Sequence, residues 1–239
     1  MLQDERTRQA RTQIEEAALR LFSHQGYRGT SMRDIAEEAG FSTGAVYHHY
    51  PDKETLFRSL LETYWKAIES PDFPVNKALA AGAFPDDLEA LGRASRESVL
   101  LYKEYVALIY VDVVEFEGEH IRKFYSTMAT RFETFLTARE KELALEPKLQ
   151  PGVSPLSAIM LTSRIFLNYF AVELLFGVPN HFGKDSETVV GEISNILRRG
   201  LLRAPEAPRE AAVREASVRA PARRKAAKRG PRPARRLAS

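Results

Sequence analysis

Residues 31–50 read SMRDIAEEAGFSTGAVYHHY, and this stretch decides the fold of the first part of the chain. Ser31 and Asp34 have the spacing of a capping box, which predicts a helix that begins just after Ser31. Gly40 predicts its end, because glycine readily takes the left-handed conformation that terminates helices. Ser42 is a second N-cap residue and predicts another helix to about Tyr50. Two short helices joined by a tight glycine turn form a helix-turn-helix pattern.

The second helix of this pattern has the features that entry into a DNA major groove requires. The groove is about 12 Å wide and is read by polar and small side chains on an inserted helix. Residues 42–48 supply such an outward face, whereas Val46 is expected to point back and pack against Ile35. Gly44 allows the backbone to approach the DNA closely, and the helix N-terminus attracts phosphate. A helical hairpin without a DNA-binding role is the alternative interpretation of the pattern alone.

The helical pattern continues on both sides of this stretch. Residues 8–69 predict four closely spaced helices, and residues 75–203 contain only helical periodicity. In the second part, one helix is expected from Leu88 through the apolar stretch 99–116. Others are expected at 121–136, 156–176 and 186–202. Strand-like alternation is absent from the sequence, so the predicted fold class is all-α.

The charge of the chain is unevenly distributed. The formal net charge is +3, but residues 204–239 hold 11 basic and 3 acidic residues and carry a net charge of +8. The remaining residues therefore carry a net charge of −5. The segment is dominated by alanine, arginine and proline and is expected to be a disordered basic tail, because it has few apolar side chains to bury. Its role in DNA binding is open, since it also fits a solubilising extension.

Several classes of protein are excluded or disfavoured by what the sequence lacks. The chain has no cysteine, which excludes disulfides, thiolate metal sites and cysteine nucleophiles. Its five histidines show no metal-binding spacing, and neither a phosphate-binding glycine loop nor a G-x-S-x-G motif is present. We therefore expect no enzyme, no cofactor and no metal. The apolar run 165–178 is shorter than the roughly 20 residues that span a bilayer, and a cytoplasmic, nucleoid-associated location is expected.

Residues 17–27 and 30–56 resemble the DNA-binding domain of TetR-family transcriptional regulators. Phe41 stands where valine is usual and Tyr50 where phenylalanine is usual, and neither disturbs the pattern. The resemblance implies that Tyr47 and Lys53 hold phosphates, although Tyr47 also fits a packing role. His48 is implied at the bases, with a solvated surface residue as the alternative. The implied DNA contacts together are Thr30, Ser31, Arg33, Ser42, Thr43, Gly44, Ala45, Tyr47, His48 and Lys53.

The larger domain is rich in aromatic residues. Residues 64–176 contain 16 of the 23 aromatic side chains of the chain. The resemblance implies a pocket for a small-molecule effector, here apolar or aromatic, whose binding re-spaces the DNA-binding heads; a filled aromatic core is the alternative. Asp112 and Glu115 are candidates to orient a ligand, or else face water or pair with a basic residue. The candidate lining residues are Trp65, Tyr102, Tyr105, Tyr110, Phe124, Phe166, Tyr169 and Phe170.

These observations combine into one domain scheme and one leading function. The scheme is a helix-turn-helix domain at 1–50, a connecting helix at 51–70, a ligand-binding and dimerisation domain at 71–203, and the tail at 204–239. The resemblance implies a homodimer through helices 156–176 and 186–202 that binds a palindrome in double-stranded DNA. The predicted function is a ligand-released transcriptional repressor. The alternative is a helical ligand-binding or scaffold protein whose DNA binding is non-specific and mediated by the tail.

Overall fold

The computed structural model describes residues 2–203, and the predicted disordered tail at 204–239 lies outside the described residues. Within residues 2–203 the chain forms helices and no strand, apart from an isolated antiparallel bridge between Leu149 and Leu202. The predicted all-α class is confirmed. The helices are α1 (Leu2–Gln25), α2 (Met32–Ala39), α3 (Thr43–His49), α4 (Lys53–Glu69), α5 (Pro74–Ala80), α6 (Ala83–Asp86), α7 (Leu88–Leu101), α8 (Lys103–Glu115), α9 (Glu119–Ala138), α10 (Glu140–Leu143), α11 (Pro155–Phe170) and α12 (Ser186–Leu201).

Two hydrophobic clusters hold these helices together. The first contains buried side chains of α1 to α4, between Ile14 and Leu61, together with Leu108 of α8. The second contains buried residues between Phe73 and Leu197, in which α7 packs against α5, α11 and α12. Because Leu108 is fully buried in the first cluster, α8 completes the core of the N-terminal helices, which we call the head (residues 2–69).

The helix expected from Leu88 into residues 99–116 is broken in the structure. Tyr102 leaves the helical conformation, with φ −117° and ψ 24°, and separates α7 from α8. Its ring lies 5.7 Å from that of Tyr64 and 5.4 Å from that of Phe73. No glycine or proline marks the break, so the sequence carries no local signal for it. The first helix also begins earlier than predicted. Residues 4–9 are exposed and show no apolar period, so the sequence pattern does not indicate this part of the helix.

Helix α11 continues into a π-helical segment, Ala171–Leu175, giving one helical stretch of 21 residues. By length and composition alone this stretch is long enough to cross a membrane, but half of its most apolar window is buried inside the fold. The side chain of Glu173 is also buried and accepts hydrogen bonds from Tyr169 and Ser186. This burial is typical of a core helix.

Candidate nucleic-acid interface

Helix α2 begins at a complete capping box. The Ser31 hydroxyl accepts a hydrogen bond from the Asp34 amide at 3.1 Å, and the Asp34 carboxylate accepts one from the Ser31 amide at 2.8 Å. Hydrogen bonding to the Ser31 hydroxyl, and then to the Ser31 amide, holds the pKa of the Asp34 carboxyl below its ordinary value. Gly40, at φ 73°, ends the helix through amide bonds back to Ala36 and Glu37. The local sequence therefore fixes both ends of α2.

Replacement of Ser31 by alanine should lower the free energy of unfolding by about 1 kcal/mol, because one amide of the first turn loses its partner. Urea denaturation measures this cost. The control is Ser126→Ala, since Ser126 is an exposed mid-helix residue that bonds only to the Lys123 carbonyl. Equal stability of the two variants would contradict a capping role for Ser31.

Helix α3 presents one face to solvent because its other face is anchored in the head. Val46 is fully buried in the same cluster as Ile35. The Ser42 hydroxyl caps the helix by accepting from the Ala45 amide at 3.2 Å. Tyr47 is 51% exposed, and His48 and Gly44 are also exposed. A Cβ atom on Gly44 would meet no other atom within 4 Å, so this face of α3 is open at Gly44.

An open depression of about 510 Å³ lies beside this face, where α2 begins and α3 ends. Its lining brings together four of the ten predicted DNA contacts, namely Thr30, Ser31, Tyr47 and Lys53. The other six predicted contacts do not line it: Arg33, Ser42, Thr43, Gly44, Ala45 and His48. Of these six, Arg33, Ser42, Gly44 and His48 are exposed, and Thr43 and Ala45 are half-buried. The DNA-binding role of all ten residues stays a prediction.

Two of the predicted contacts, Lys53 and Thr30, are bonded to backbone carbonyls of the head. The Lys53 ammonium donates to the Tyr27 and Thr30 carbonyls, each at 2.7 Å, and lies 4.1 Å from the centre of the Tyr27 ring. Its partial burial lowers the pKa of Lys53. Thr30 is 2% exposed and donates to the Gly26 carbonyl at 2.8 Å. Substituting either residue would disturb the head as well as any DNA contact, so neither is a clean probe of DNA binding.

The two acidic residues considered for the ligand site both lie at the end of α8 and are engaged. Asp112 is fully buried, 2.6 Å from the His120 ring nitrogen, and also accepts from the Ile121 amide. Glu115 accepts from the backbone amides of the turn between α1 and α2. Sequence reasoning missed this second contact, because its partners lie almost 90 residues away and no local pattern marks them.

The aromatic residues predicted to line a pocket fall into separate groups. Trp65 stacks on Phe124 with ring centres 4.2 Å apart, and Tyr102 and Tyr105 pack near Tyr64. A second group lies on α11 and is buried in the second hydrophobic cluster: Phe166, Tyr169 and Phe170. Tyr110 is 42% exposed and contacts the exposed ring of Phe176. The effector site therefore stays a prediction.

Comparison with known proteins adds to this geometry. Residues 14–60 match the family model described as "Bacterial regulatory proteins, tetR family". The chain is 28% identical over 124 residues to the transcriptional repressor KstR2 of Rhodococcus jostii, and this match covers 51% of the chain and 59% of KstR2. It is 44% identical over 62 residues to the transcriptional regulator AcrR of Shigella flexneri, covering 26% of the chain and 27% of AcrR.

The fold has a counterpart among solved structures. The crystal structure of NalD, the secondary repressor of the MexAB-OprM multidrug efflux pump in Pseudomonas aeruginosa, matches with a TM-score of 0.58 at 23% identity. That match covers 84% of this chain and all of the NalD chain. The chain spans only about three fifths of KstR2 and a quarter of AcrR. Residues 14–60 therefore match the helix-turn-helix domain of the tetR family of bacterial regulatory proteins.

Proposed function

We propose that this protein is a sequence-specific transcriptional repressor that binds double-stranded DNA and is released from it by a small apolar or aromatic ligand. The exposed face of α3 carries the proposal. There Gly44 and Tyr47 are open to solvent while Val46 is anchored in the core behind them. Such a face fits the major groove, where base edges distinguish sequences. KstR2 is named a repressor, and the sequence similarity of this chain to KstR2 supports the same role here.

The proposed repressor acts as a homodimer through α11 and α12. Both helices leave large apolar side chains in solvent, including Leu161 (51% exposed), Ile165 (39%) and Ile196 (71%). Leu161 and Ile165 are four residues apart and therefore share one face of α11. A second copy of the chain is the partner that would cover this apolar face. A two-fold dimer formed in this way would contact a palindrome with its two heads about 34–36 Å apart. Non-specific binding by the basic tail alone would need no such face.

The first test is selection of duplex DNA from a random-sequence library by the full chain, followed by footprinting on the selected duplex. We expect a protected palindrome. Tyr47→Phe should weaken binding to it about tenfold, because it removes from an exposed side chain the one hydroxyl that would donate to a DNA phosphate. Fluorescence anisotropy on the selected duplex measures the change.

The matched control is Tyr125→Phe, a tyrosine of similar exposure on α9. It should bind the selected duplex as the unaltered protein does. A chain that ends at Arg203 should bind more weakly at low salt but keep its sequence preference, since the tail supplies charge and no base contacts. Recovery of no preferred sequence, or loss of all preference on truncation, would overturn the proposal in favour of tail-mediated binding.

A further inference from the structure

The last residue of α8 is bonded to the turn that leads into the helix-turn-helix. One carboxylate oxygen of Glu115 accepts from the Tyr27 amide at 2.9 Å, and the other accepts from the Arg28 amide at 2.7 Å. The Glu115 side chain is 14% exposed, so water competes little for these bonds. Because a carboxylate bonded to two amides has its position fixed at both oxygens, we call this contact the Glu115 clamp.

The turn is bonded from its other side as well. Lys53 of α4 donates to the Tyr27 and Thr30 carbonyls, so Tyr27 is bonded at its amide by Glu115 and at its carbonyl by Lys53. The turn ends at Ser31, the N-cap residue of α2. Any movement of the Glu115 clamp therefore acts directly on the position at which α2 begins.

Aromatic rings and a buried hydrogen bond stiffen the same junction. Phe116, next to Glu115, stacks on Phe57 of α4 with ring centres 5.1 Å apart and meets the Tyr27 ring at 4.6 Å. Behind it, the buried Asp112 carboxylate bonds to the His120 ring and to the Ile121 amide, both in the first turn of α9. The end of α8 is thus fixed to the larger domain on one side and to the head on the other.

From these contacts we propose that Glu115 is a positioning residue, which fixes the orientation of the head against the larger domain and so sets the half-site spacing that the dimer accepts. This inference rests on the proposed function, because spacing has meaning only for a dimer on a palindrome. A rigid head cannot follow a half-site that is moved. One inserted base pair rotates the second half-site by about 35°. A head freed from the clamp can follow that rotation.

The experiment compares binding of the full chain to the selected palindrome and to the same palindrome with one base pair inserted at its centre. We expect the unaltered protein to bind the expanded duplex at least tenfold more weakly. In Glu115→Gln this discrimination should fall below about threefold, since the carboxamide offers an acceptor to only one of the two amides. Hydrogen exchange of the Tyr27 and Arg28 amides should quicken at least tenfold in the same variant, while amides within α9 keep their rates.

The control is Glu133→Gln, which makes the same change of charge at an exposed position of α9. It should leave spacing discrimination and exchange unchanged. If Glu115→Gln fails to fold, Glu115→Asp decides, because its shorter side chain keeps the charge but does not reach both amides. If the unaltered protein binds a palindrome and these variants keep full spacing discrimination, the role of Glu115 is overturned and the proposed function is not. Selection of no palindrome would overturn the proposed function, and this proposal with it.

Discussion

Replacement of Gly44 by leucine is expected to weaken binding to the selected palindrome by at least about a hundredfold, while the protein stays folded. The reason is geometric. In the free protein a Cβ at this position meets no atom within 4 Å, so the fold tolerates a larger side chain. Leucine also favours a helix over glycine by roughly 0.5–1 kcal/mol. In the complex the same side chain would stand between α3 and the base edges.

Anisotropy with the selected duplex and thermal unfolding measure the two effects separately. Gly44→Ala is the matched control, because it brings the gain in helix propensity with a single added carbon. We expect it to unfold at the same or a slightly higher temperature and to bind within about tenfold of the unaltered protein. Retention of full affinity by Gly44→Leu would mean that α3 does not enter the groove.

Replacement of Ile196 by arginine is expected to convert the proposed dimer into monomers and to lower affinity for the selected palindrome by about a hundredfold or more. Ile196 is 71% exposed on α12, so the charged side chain costs the monomer fold little. In a symmetric dimer it is buried twice, and each copy brings an unpaired charge into the interface. A monomer loses the avidity that two linked half-sites provide, which is commonly 10²–10⁴-fold.

Sedimentation velocity measures the association state, and anisotropy on full and half palindromes measures the loss of avidity. The control is Leu101→Arg, because Leu101 is 63% exposed at the last residue of α7 and belongs to neither α11 nor α12. It should remain dimeric and bind normally. A dimeric Ile196→Arg protein would place the interface elsewhere on the chain.

The parts of this structure that could be predicted are those whose determinants are local. The caps of α2 and α3 each depend on a side chain and an amide three residues apart, and the sequence alone indicated both helices. The break at Tyr102 carries no such signal, and the ring of Tyr102 packs against Tyr64 and Phe73, which lie far from it along the chain.

The candidate site divides in the same way. The outward face of α3 follows from helical spacing around one buried valine, Val46. The engagement of Lys53 depends instead on how α4 packs against the turn that follows α1, which no short motif encodes. Glu115 lies still farther along the chain from its bonding partners, which belong to another domain of the predicted scheme. Contacts of high sequence separation therefore mark the limit of what the pattern predicts.

The burial of Leu108 among the N-terminal helices has a consequence for how such proteins diversify. The head does not end where its own helices end, because the inner face of α8 supplies part of its core. An exchange of DNA-binding heads between relatives that left α8 behind would create either a cavity or a clash at this position. The unit to transfer is thus the head together with the surface of α8 that packs against it.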